Sequence, residues 1–142
     1  MLTSFLSEVS KEQEKSEHRI FQQEVLSESL SGVQIPLVTI TNFESQDQPK
    51  KTIMITGRVH PGETQASWIL HFFMRFLLSK SPVARLLRSK AIFKIVPMIN
   101  VDGVIGGNYR TGFAGLDINR MFGADADSRL TPESVKVKEA AK

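Results

Sequence analysis

Two short apolar runs that enclose a pair of helices constrain this chain more than any other feature. Thr52–Thr56 is a run of the kind found in strands buried on both faces. Ala91–Ile99 also predicts a strand. The segment between them has helical periodicity and contains Ser81-Pro82, a start signal for a second helix. Strand, helix, helix, strand is the pattern of a crossover connection, so we expect the two strands to be parallel in an α/β sheet.

The two connecting helices carry distinct signals. The first is predicted over about 63–78, and its wide apolar stripe should pack in the core. The apolar residues of that stripe are Trp68, Ile69, Phe72, Phe73, Phe76 and Leu77. The second helix has Ser81 as its N-cap and Pro82 at its first position. It ends on Arg88 and Lys90, cations suited to the negative end of a helix.

The flanking segments predict further elements and one long loop. Residues 1–17 have the spacing of a polar helix, and Val33–Ile40 is a β-branched strand that Pro36 should confine to a sheet edge. A last helix is expected from about residue 131 onwards. Residues 100–125 are glycine-rich without clear periodicity, and loops of that length inside a domain are usually functional.

Composition narrows the possible functions. The 142 residues, with 41% hydrophobic and 23% charged content, suffice for one globular domain. No run approaches the roughly 18 apolar residues that cross a membrane. No segment resembles a signal peptide, a phosphate loop or a nucleic-acid-binding module, so we expect a cytosolic protein without membrane or nucleic-acid partners. Because there is no cysteine, a metal site must use His, Asp or Glu.

The charge is distributed unevenly along the chain. Residues 1–50 carry four Lys or Arg and eight Asp or Glu, whereas residues 51–142 carry 14 and seven. A basic second part would favour an acidic partner. An ordinary solvated surface explains the same asymmetry equally well.

The tetrapeptide His60-Pro61-Gly62-Glu63 is the first candidate site. It lies where the first strand ends and the first helix begins, the position at which α/β sheets bind ligands. Gly62 permits a tight turn, so His60 and Glu63 can meet on one metal ion, and His and Glu belong to a known ligand set of catalytic zinc. The competing explanation is a buried histidine beside a glutamate that stabilises a helix N-terminus. The four residues alone favour that explanation.

The loop at 100–120, NVDGVIGGNYRTGFAGLDINR, is the second candidate site. Because the ends of parallel strands share one rim of a sheet, Arg110 and Arg120 can face the first site. One arginine could polarise a carbonyl or stabilise an oxyanion, and the other could hold a carboxylate with help from an asparagine. Alternatively, the two arginines pair with Asp102 and Asp117 and only pin the loop.

Taken together, these motifs resemble a known family. HPGE, SPVARLLR, FKIVPMINVDG, GNYR and DINR occur in the order and approximate spacing of the M14 zinc carboxypeptidases. The stretches RVHPGETQASW and PVARLLRSKAIFKIVPMINVDGVIGGNYR look like the cytosolic carboxypeptidase branch, whose members remove glutamates from polyglutamylated or C-terminally acidic proteins such as tubulin. The resemblance covers about residues 20–130.

The resemblance implies a fold and an activity. The fold would be a partial zinc-carboxypeptidase domain over residues 20–142, with a mixed β-sheet flanked by helices, preceded by a polar helix at 1–19. The activity would be a cytoplasmic metallocarboxypeptidase that hydrolyses C-terminal residues, glutamates above all, from peptides or proteins such as tubulin. Microtubule or cilium association would follow from that substrate.

The resemblance also implies a role for each matched residue. His60 and Glu63 would be zinc ligands. Arg110 would be the catalytic arginine that polarises the scissile carbonyl and contacts the substrate. Asn119 and Arg120 would bind the terminal α-carboxylate of the substrate.

Three departures from the family pattern accompany the match. Val101 replaces a proline, and Met121-Phe122 stands where a tryptophan is common; both change stiffness and packing rather than a catalytic group. The family's second zinc histidine and its general-base glutamate lie further along the chain than Lys142. We therefore expect a truncated domain with an incomplete zinc site, inactive on its own.

Neither of the other two histidines is expected to replace the missing ligand. His71 lies eight residues beyond Glu63 on the same helix, about 12 Å along its axis at 1.5 Å per residue. That separation greatly exceeds a zinc bond of about 2 Å, so His71 should be a helix-surface or packing residue. His18 lies in a polar segment without evident metal ligands nearby.

Two alternatives to a catalytic protein remain open. The chain could be a non-catalytic binder of acidic C-terminal tails that uses Arg110, Asn119 and Arg120. It could also be a fragment with no function, in which unpaired strand edges and exposed apolar surface promote aggregation.

Overall fold

A four-stranded mixed sheet organises the chain in the computed structural model, which describes residues 2–45, 49–123 and 127–141. The helices and strands are α1 (Leu2–Glu14), β1 (Phe21–Glu28), β2 (Gln34–Ile40), β3 (Lys51–Thr56), α2 (Thr64–Leu78), α3 (Pro82–Lys90), β4 (Ala91–Val96), α4 (Val101–Ile105) and α5 (Pro132–Ala140). A 3₁₀ turn at Ile118–Arg120 lies between α4 and α5. None of the helices in these ranges has the length and apolar character needed to cross a bilayer.

The central crossover agrees with the sequence prediction. The strands are ordered β1-β2-β4-β3, and β3 runs parallel to β4 in a register that joins Lys51 to Ala91 and Thr56 to Val96. The other two pairs, β1 with β2 and β2 with β4, are antiparallel, which makes the sheet mixed as expected. Helices α2 and α3 form the connection between β3 and β4.

The prediction that Pro36 confines its strand to a sheet edge is wrong. Strand β2 lies inside the sheet, between β1 and β4. The proline is tolerated because β4 pairs only with Val38–Ile40. Pro36 therefore does not need to donate a backbone hydrogen bond to β4. On the other side Pro36 pairs with Val25, where the β1 register shifts at a bulge.

The prediction that Thr52–Thr56 is buried on both faces is also wrong. Among the strands of the described sheet, β3 lies at one end and pairs only with β4. Its first three residues are exposed, and Ile53 retains 41% of its accessible surface. A continuous apolar run therefore marks a strand here without predicting that both faces are covered.

Helix α2 packs through a narrower stripe than its sequence indicates. Leu70, Met74 and Leu77 are buried and face the sheet, and Phe73 packs edge-to-face on Phe93 with ring centroids 5.9 Å apart. The expectation that the whole aromatic stripe is core is wrong, because four of its members are exposed. These are Trp68 at 51%, Ile69 at 64%, Phe72 at 62% and Phe76 at 37% exposure.

Helix α1 adds its apolar face to the same core as α2. Phe5, Leu6 and Val9 are buried in the cluster that includes Leu70 and Ile95. On the other side of the sheet, Ile35, Val96, Ile99 and Ile118 form a second cluster with Val137 of α5. The separation of residues 1–19 from the rest of the chain stays a prediction.

The long loop after β4 contains short ordered elements that the sequence did not indicate. Asn100 is the N-cap of α4, and its buried side chain accepts a hydrogen bond from the Gly103 amide at 2.9 Å. The same side chain donates to the carbonyl of Val59 at 3.3 Å, which ties the loop to the end of β3. Ser81 is the N-cap of α3 as predicted, although its hydroxyl makes no capping hydrogen bond.

Candidate metal centre

His60 and Glu63 meet at the turn between β3 and α2. His60 is buried, and its Nδ1 lies 2.9 Å from Oε1 of Glu63. Glu63 occupies the N-cap position of α2, yet its carboxylate makes no capping hydrogen bond and faces the imidazole. A carboxylate at this position also stabilises the helix N-terminus through its charge, so the choice between that alternative and a metal ligand stays a prediction.

Asp117 holds the other nitrogen of the His60 ring. Its Oδ1 lies 3.1 Å from Nε2 of His60 and accepts the backbone amide of Asn119 at 3.0 Å. Its Oδ2 accepts Nε of Arg110 at 2.9 Å and lies 2.8 Å from Nη2 of the same arginine. One carboxylate thus joins the histidine of the first candidate site to the arginine of the second.

The environment of Asp117 favours its ionised form. Burial acts to raise the pKa of this carboxyl, but the Asn119 amide, the Arg110 guanidinium and the His60 ring together lower it below its ordinary value. An ionised carboxylate only accepts hydrogen bonds, so the Nε2 atom of His60 must be the donor.

The proton on Nε2 of His60 decides whether His60 and Glu63 fit a zinc ion. With a proton on Nε2, the neutral ring presents the lone pair of Nδ1 to the Glu63 carboxylate, so two acceptors face each other at 2.9 Å. A proton or a metal cation between them satisfies both atoms. Imidazole nitrogen and carboxylate oxygen are zinc ligands, and a carboxylate on the far nitrogen is the usual support of a ligating histidine. The donor set therefore fits zinc.

The described residues contain no cluster of three His, Cys, Asp or Glu side chains that could enclose a metal ion. Asp117 does not complete the pair, because it contacts the opposite ring nitrogen from Glu63. His71 packs against Phe5 at 4.7 Å between ring centroids, which confirms its packing role. His18 is exposed and has one carboxylate neighbour that the sequence did not indicate, Glu44 at 2.9 Å.

The turn that carries His60 and Glu63 is held in close contact with the loop at 100–120. The Gly62 amide donates to the carbonyl oxygen of Tyr109 at 2.8 Å. A Cβ at Gly62 would lie 2.4 Å from Cδ2 of the Tyr109 ring and 2.9 Å from its carbonyl oxygen. Only glycine allows this close approach. Gly62 therefore permits both the tight turn and its contact with Tyr109, the residue before Arg110.

The three predicted substrate-binding residues lie near this turn and face solvent. The Arg110 side chain is 49% exposed and pairs with Asp117. This pairing is one of the two contacts expected if the arginines only pin the loop. The other expected contact, between an arginine and Asp102, is absent from the described residues: Asp102 accepts from the Ser29 hydroxyl at 2.7 Å and from Ser31. Asn119 and Arg120 are exposed on the 3₁₀ turn.

A comparison with protein families matches residues 6–141 to the zinc carboxypeptidases of the Peptidase_M14 family. The chain belongs to the zinc carboxypeptidase family. Among curated carboxypeptidases, it is 47% identical over 110 residues to human cytosolic carboxypeptidase 4, covering 72% of this chain and 10% of that protein. It is 51% identical over 100 residues to cytosolic carboxypeptidase 2 of Xenopus tropicalis, covering 68% of this chain and 10% of the relative.

Solved structures agree with the family assignment. A metallo-carboxypeptidase from Burkholderia cenocepacia matches with a TM-score of 0.79 and 34% identity, over 84% of this chain and 33% of that one. Carboxypeptidase A from Helicoverpa armigera matches with a TM-score of 0.73 over 98% of this chain and 40% of that one. At 19% identity, the second likeness shows the fold alone.

The match to carboxypeptidases covers a small part of the relatives. The chain spans about a tenth of the length of the curated carboxypeptidases that it resembles, and about a third of the Burkholderia enzyme. The family assignment implies zinc as the metal. The expectation that a third ligand lies beyond this chain stays a prediction.

Proposed function

We propose that this chain forms the part of a zinc carboxypeptidase that holds two metal ligands and recognises the C-terminal carboxylate of a peptide. The arrangement around His60 supports the metal role, because Asp117 holds one ring nitrogen while the other faces Glu63 at 2.9 Å. His60 and Glu63 would hold the ion. Bound zinc supplies an activated water near neutral pH and polarises the scissile carbonyl.

Arg110 is the proposed catalytic arginine. Asp117 engages its Nε and Nη2 through a single carboxylate oxygen, which positions the guanidinium beside the ligand pair. A guanidinium has five N–H donors, so this anchorage leaves donors for a substrate carbonyl. A charged donor placed at a developing oxyanion stabilises it more strongly in a site that excludes water.

Asn119 and Arg120 are the proposed carboxylate-binding pair. Both are exposed on the 3₁₀ turn, and within the described residues Arg120 donates only to the Asn119 carbonyl, at 3.4 Å. The fork of a guanidinium matches a carboxylate with two parallel hydrogen bonds. Asp117 is the N-cap of this turn, so the residue that supports His60 also sets the position of the pair.

We infer that the preferred substrates end in glutamate, with acidic tubulin tails in the cytosol as the protein candidates. The inference rests on the resemblance of RVHPGETQASW and PVARLLRSKAIFKIVPMINVDGVIGGNYR to the cytosolic carboxypeptidase branch. The excess of basic residues after residue 50 favours an acidic partner on electrostatic grounds.

Calorimetric titration with a tetraglutamate peptide tests carboxylate recognition. We compare the free C-terminal acid with its amide and expect the acid to bind about tenfold more tightly or better, since charge-assisted hydrogen bonds are lost with the amide. Arg120→Ala should abolish that preference. The control Arg129→Ala changes an exposed arginine outside the site and should retain it. Equal affinities of the wild-type chain for acid and amide would contradict the proposal.

A second candidate function is non-catalytic binding of acidic tails. It is favoured by the exposed Arg110 and Arg120 in a chain whose described residues hold no three-ligand metal cluster. Mass spectrometry of the same peptide with zinc-loaded protein separates the two. Loss of terminal glutamate supports a carboxypeptidase, whereas acid-dependent binding without hydrolysis supports a binder.

A further inference from the structure

We propose that Arg58 is a positioning residue for the two metal ligands, holding the peptide bond midway between His60 and Glu63. The inference rests on the proposed metal-binding function and adds a residue to it. Arg58 lies two residues before His60, directly after Gly57 at the end of β3.

The backbone of Arg58 has a conformation that needs a compensating interaction. Its φ is +54°, and within the described residues it is the one non-glycine position with a positive φ. A side chain in this left-handed region is disfavoured because its Cβ approaches the following carbonyl oxygen. Such conformations persist where the surroundings fix them, and they cluster at functional sites.

The Arg58 side chain makes three hydrogen bonds that cross the turn. Its Nε donates to the carbonyl oxygen of Pro61 at 2.9 Å, and Nη2 donates to the same oxygen. Its Nη1 donates to Oγ of Ser67, in the first turns of α2, at 2.9 Å. Burial lowers the pKa of the Arg58 guanidinium. The ordinary pKa of arginine is so high that the group stays charged.

The Pro61 carbonyl and the Gly62 amide belong to one peptide unit, and the structure holds both of its ends. Arg58 binds the carbonyl, while the Tyr109 carbonyl accepts the amide at 2.8 Å. Because a peptide unit is planar, fixing both polar groups fixes its rotation about the chain. His60 and Glu63 flank this unit, so its orientation sets how their side chains converge.

Arg58 is also anchored to the second strand of the crossover. Its carbonyl oxygen accepts the amide of Asn100 at 3.1 Å, beyond the end of β4. The residue thus links the β4 end, the ligand turn and α2 through its own backbone and side chain. An arginine that served only as a surface charge would not require these three partners.

Because Arg58 is charged, a positioning role and a purely electrostatic role predict opposite effects on zinc affinity when the residue is replaced. A cation beside a zinc site repels the metal, so removing a mere nearby charge would tighten zinc binding. Loss of an orienting partner does the opposite, and such changes typically weaken metal binding about 10- to 100-fold. The sign of the effect therefore decides between the two roles.

The experiment uses the full chain with Arg58→Gly, Arg58→Lys and the control Arg85→Lys, which changes an exposed arginine of α3. Glycine keeps the left-handed backbone accessible, whereas lysine keeps the charge without the fork. Chelator competition measures zinc affinity, and hydrogen exchange of the Gly62 amide measures peptide order in metal-free protein. We expect zinc affinity to fall about 10- to 100-fold in both Arg58 variants. Gly62 exchange should accelerate about tenfold or more in both, and neither quantity should change in the control.

Two results would overturn the proposal: Gly62 exchange as slow as wild type in Arg58→Gly, or zinc binding that tightens in that variant. If the wild-type chain binds no zinc, the metal-binding function fails and the exchange measurement alone decides the role of Arg58. Acceleration in both variants then supports positioning of the turn, and wild-type rates contradict it.

Discussion

The Nε2 atom of His60 lies 3.1 Å from Oδ1 of Asp117, and this contact joins the end of β3 to the loop beyond β4. Asp117 lies 57 residues from His60 in sequence. It fixes which ring nitrogen carries the proton and leaves Nδ1 directed at Glu63. The supporting carboxylate also pairs with Arg110, so the proposed metal ligand and the proposed catalytic arginine share one anchor.

Removing the Asp117 carboxylate should weaken zinc binding. We expect Asp117→Ala to lower zinc affinity about 10- to 100-fold, because His60 loses the partner that fixes its tautomer and ring orientation. Chelator competition measures the change. Asp127→Ala is the matched control, since Asp127 pairs with the exposed Arg129. Equal losses in the two variants would show that the effect is not specific to His60.

A methyl group at Gly62 should separate the ligand turn from the arginine loop. In Gly62→Ala the new Cβ would meet ring atoms of Tyr109 at 2.4 and 2.8 Å, so one segment has to move. We expect a loss of about 1–3 kcal/mol in the free energy of unfolding, measured by urea denaturation. Gly123→Ala has no atom within 4 Å of the new Cβ and should be nearly neutral. A Gly62→Ala variant as stable as wild type would contradict the close contact.

Glu133 should make stability depend on pH. Burial raises the pKa of this carboxyl, the nearby Asp102 raises it further, and the backbone hydrogen bond of Glu133 only partly opposes them. A raised pKa in the folded state means that its stabilising contribution is complete below the unfolded pKa and is lost as pH rises through the folded pKa.

Glu133→Gln should therefore be more stable than wild type at neutral pH, with the advantage shrinking in acid. Thermal melts between pH 4 and pH 8 measure the difference. Glu8→Gln replaces an exposed glutamate of α1 and should not alter the profile. Parallel curves for Glu133→Gln and wild type would contradict the assignment.

The two faces of α2 should respond oppositely to substitution. Ile69 is 64% exposed, so Ile69→Gln should change the free energy of unfolding by less than about 0.5 kcal/mol while reducing aggregation. Met74 is fully buried, so Met74→Ala should cost about 2–5 kcal/mol. Urea denaturation and light scattering measure the two effects. A large loss at Ile69 would indicate that this face is covered.

The crossover and the position of the site could be predicted from the sequence because local signals specify them. The apolar runs marked β3 and β4, Pro82 marked the start of α3, and the crossover rule made the strands parallel. Because parallel strands end at one rim of a sheet, the sequence also predicts that the loop at 100–120 can face His60.

Other features depend on distant partners that local patterns do not reveal. The segment FQQEVLSE does not predict strand β1, because it is polar and only weakly alternating; its pairing with β2 defines the strand. Pro36 predicts an edge strand, and this prediction is wrong because β4 pairs only with the residues of β2 that follow the proline. No local pattern reveals where β4 ends. The sequence predicts Asp117 only as a partner of arginines, since its contact with His60 across 57 residues leaves no local signal.

The ¹⁵N resonances of the His60 ring during a zinc titration test the central claim most directly. We predict that Nδ1 shifts on metal addition while Nε2 keeps its proton and its bond to Asp117, and that Glu63→Gln weakens the response. The rings of His18 and His71 should be unaffected. A response at Nε2 of His60, at another histidine, or at none of the three would contradict a metal centre built on His60 and Glu63.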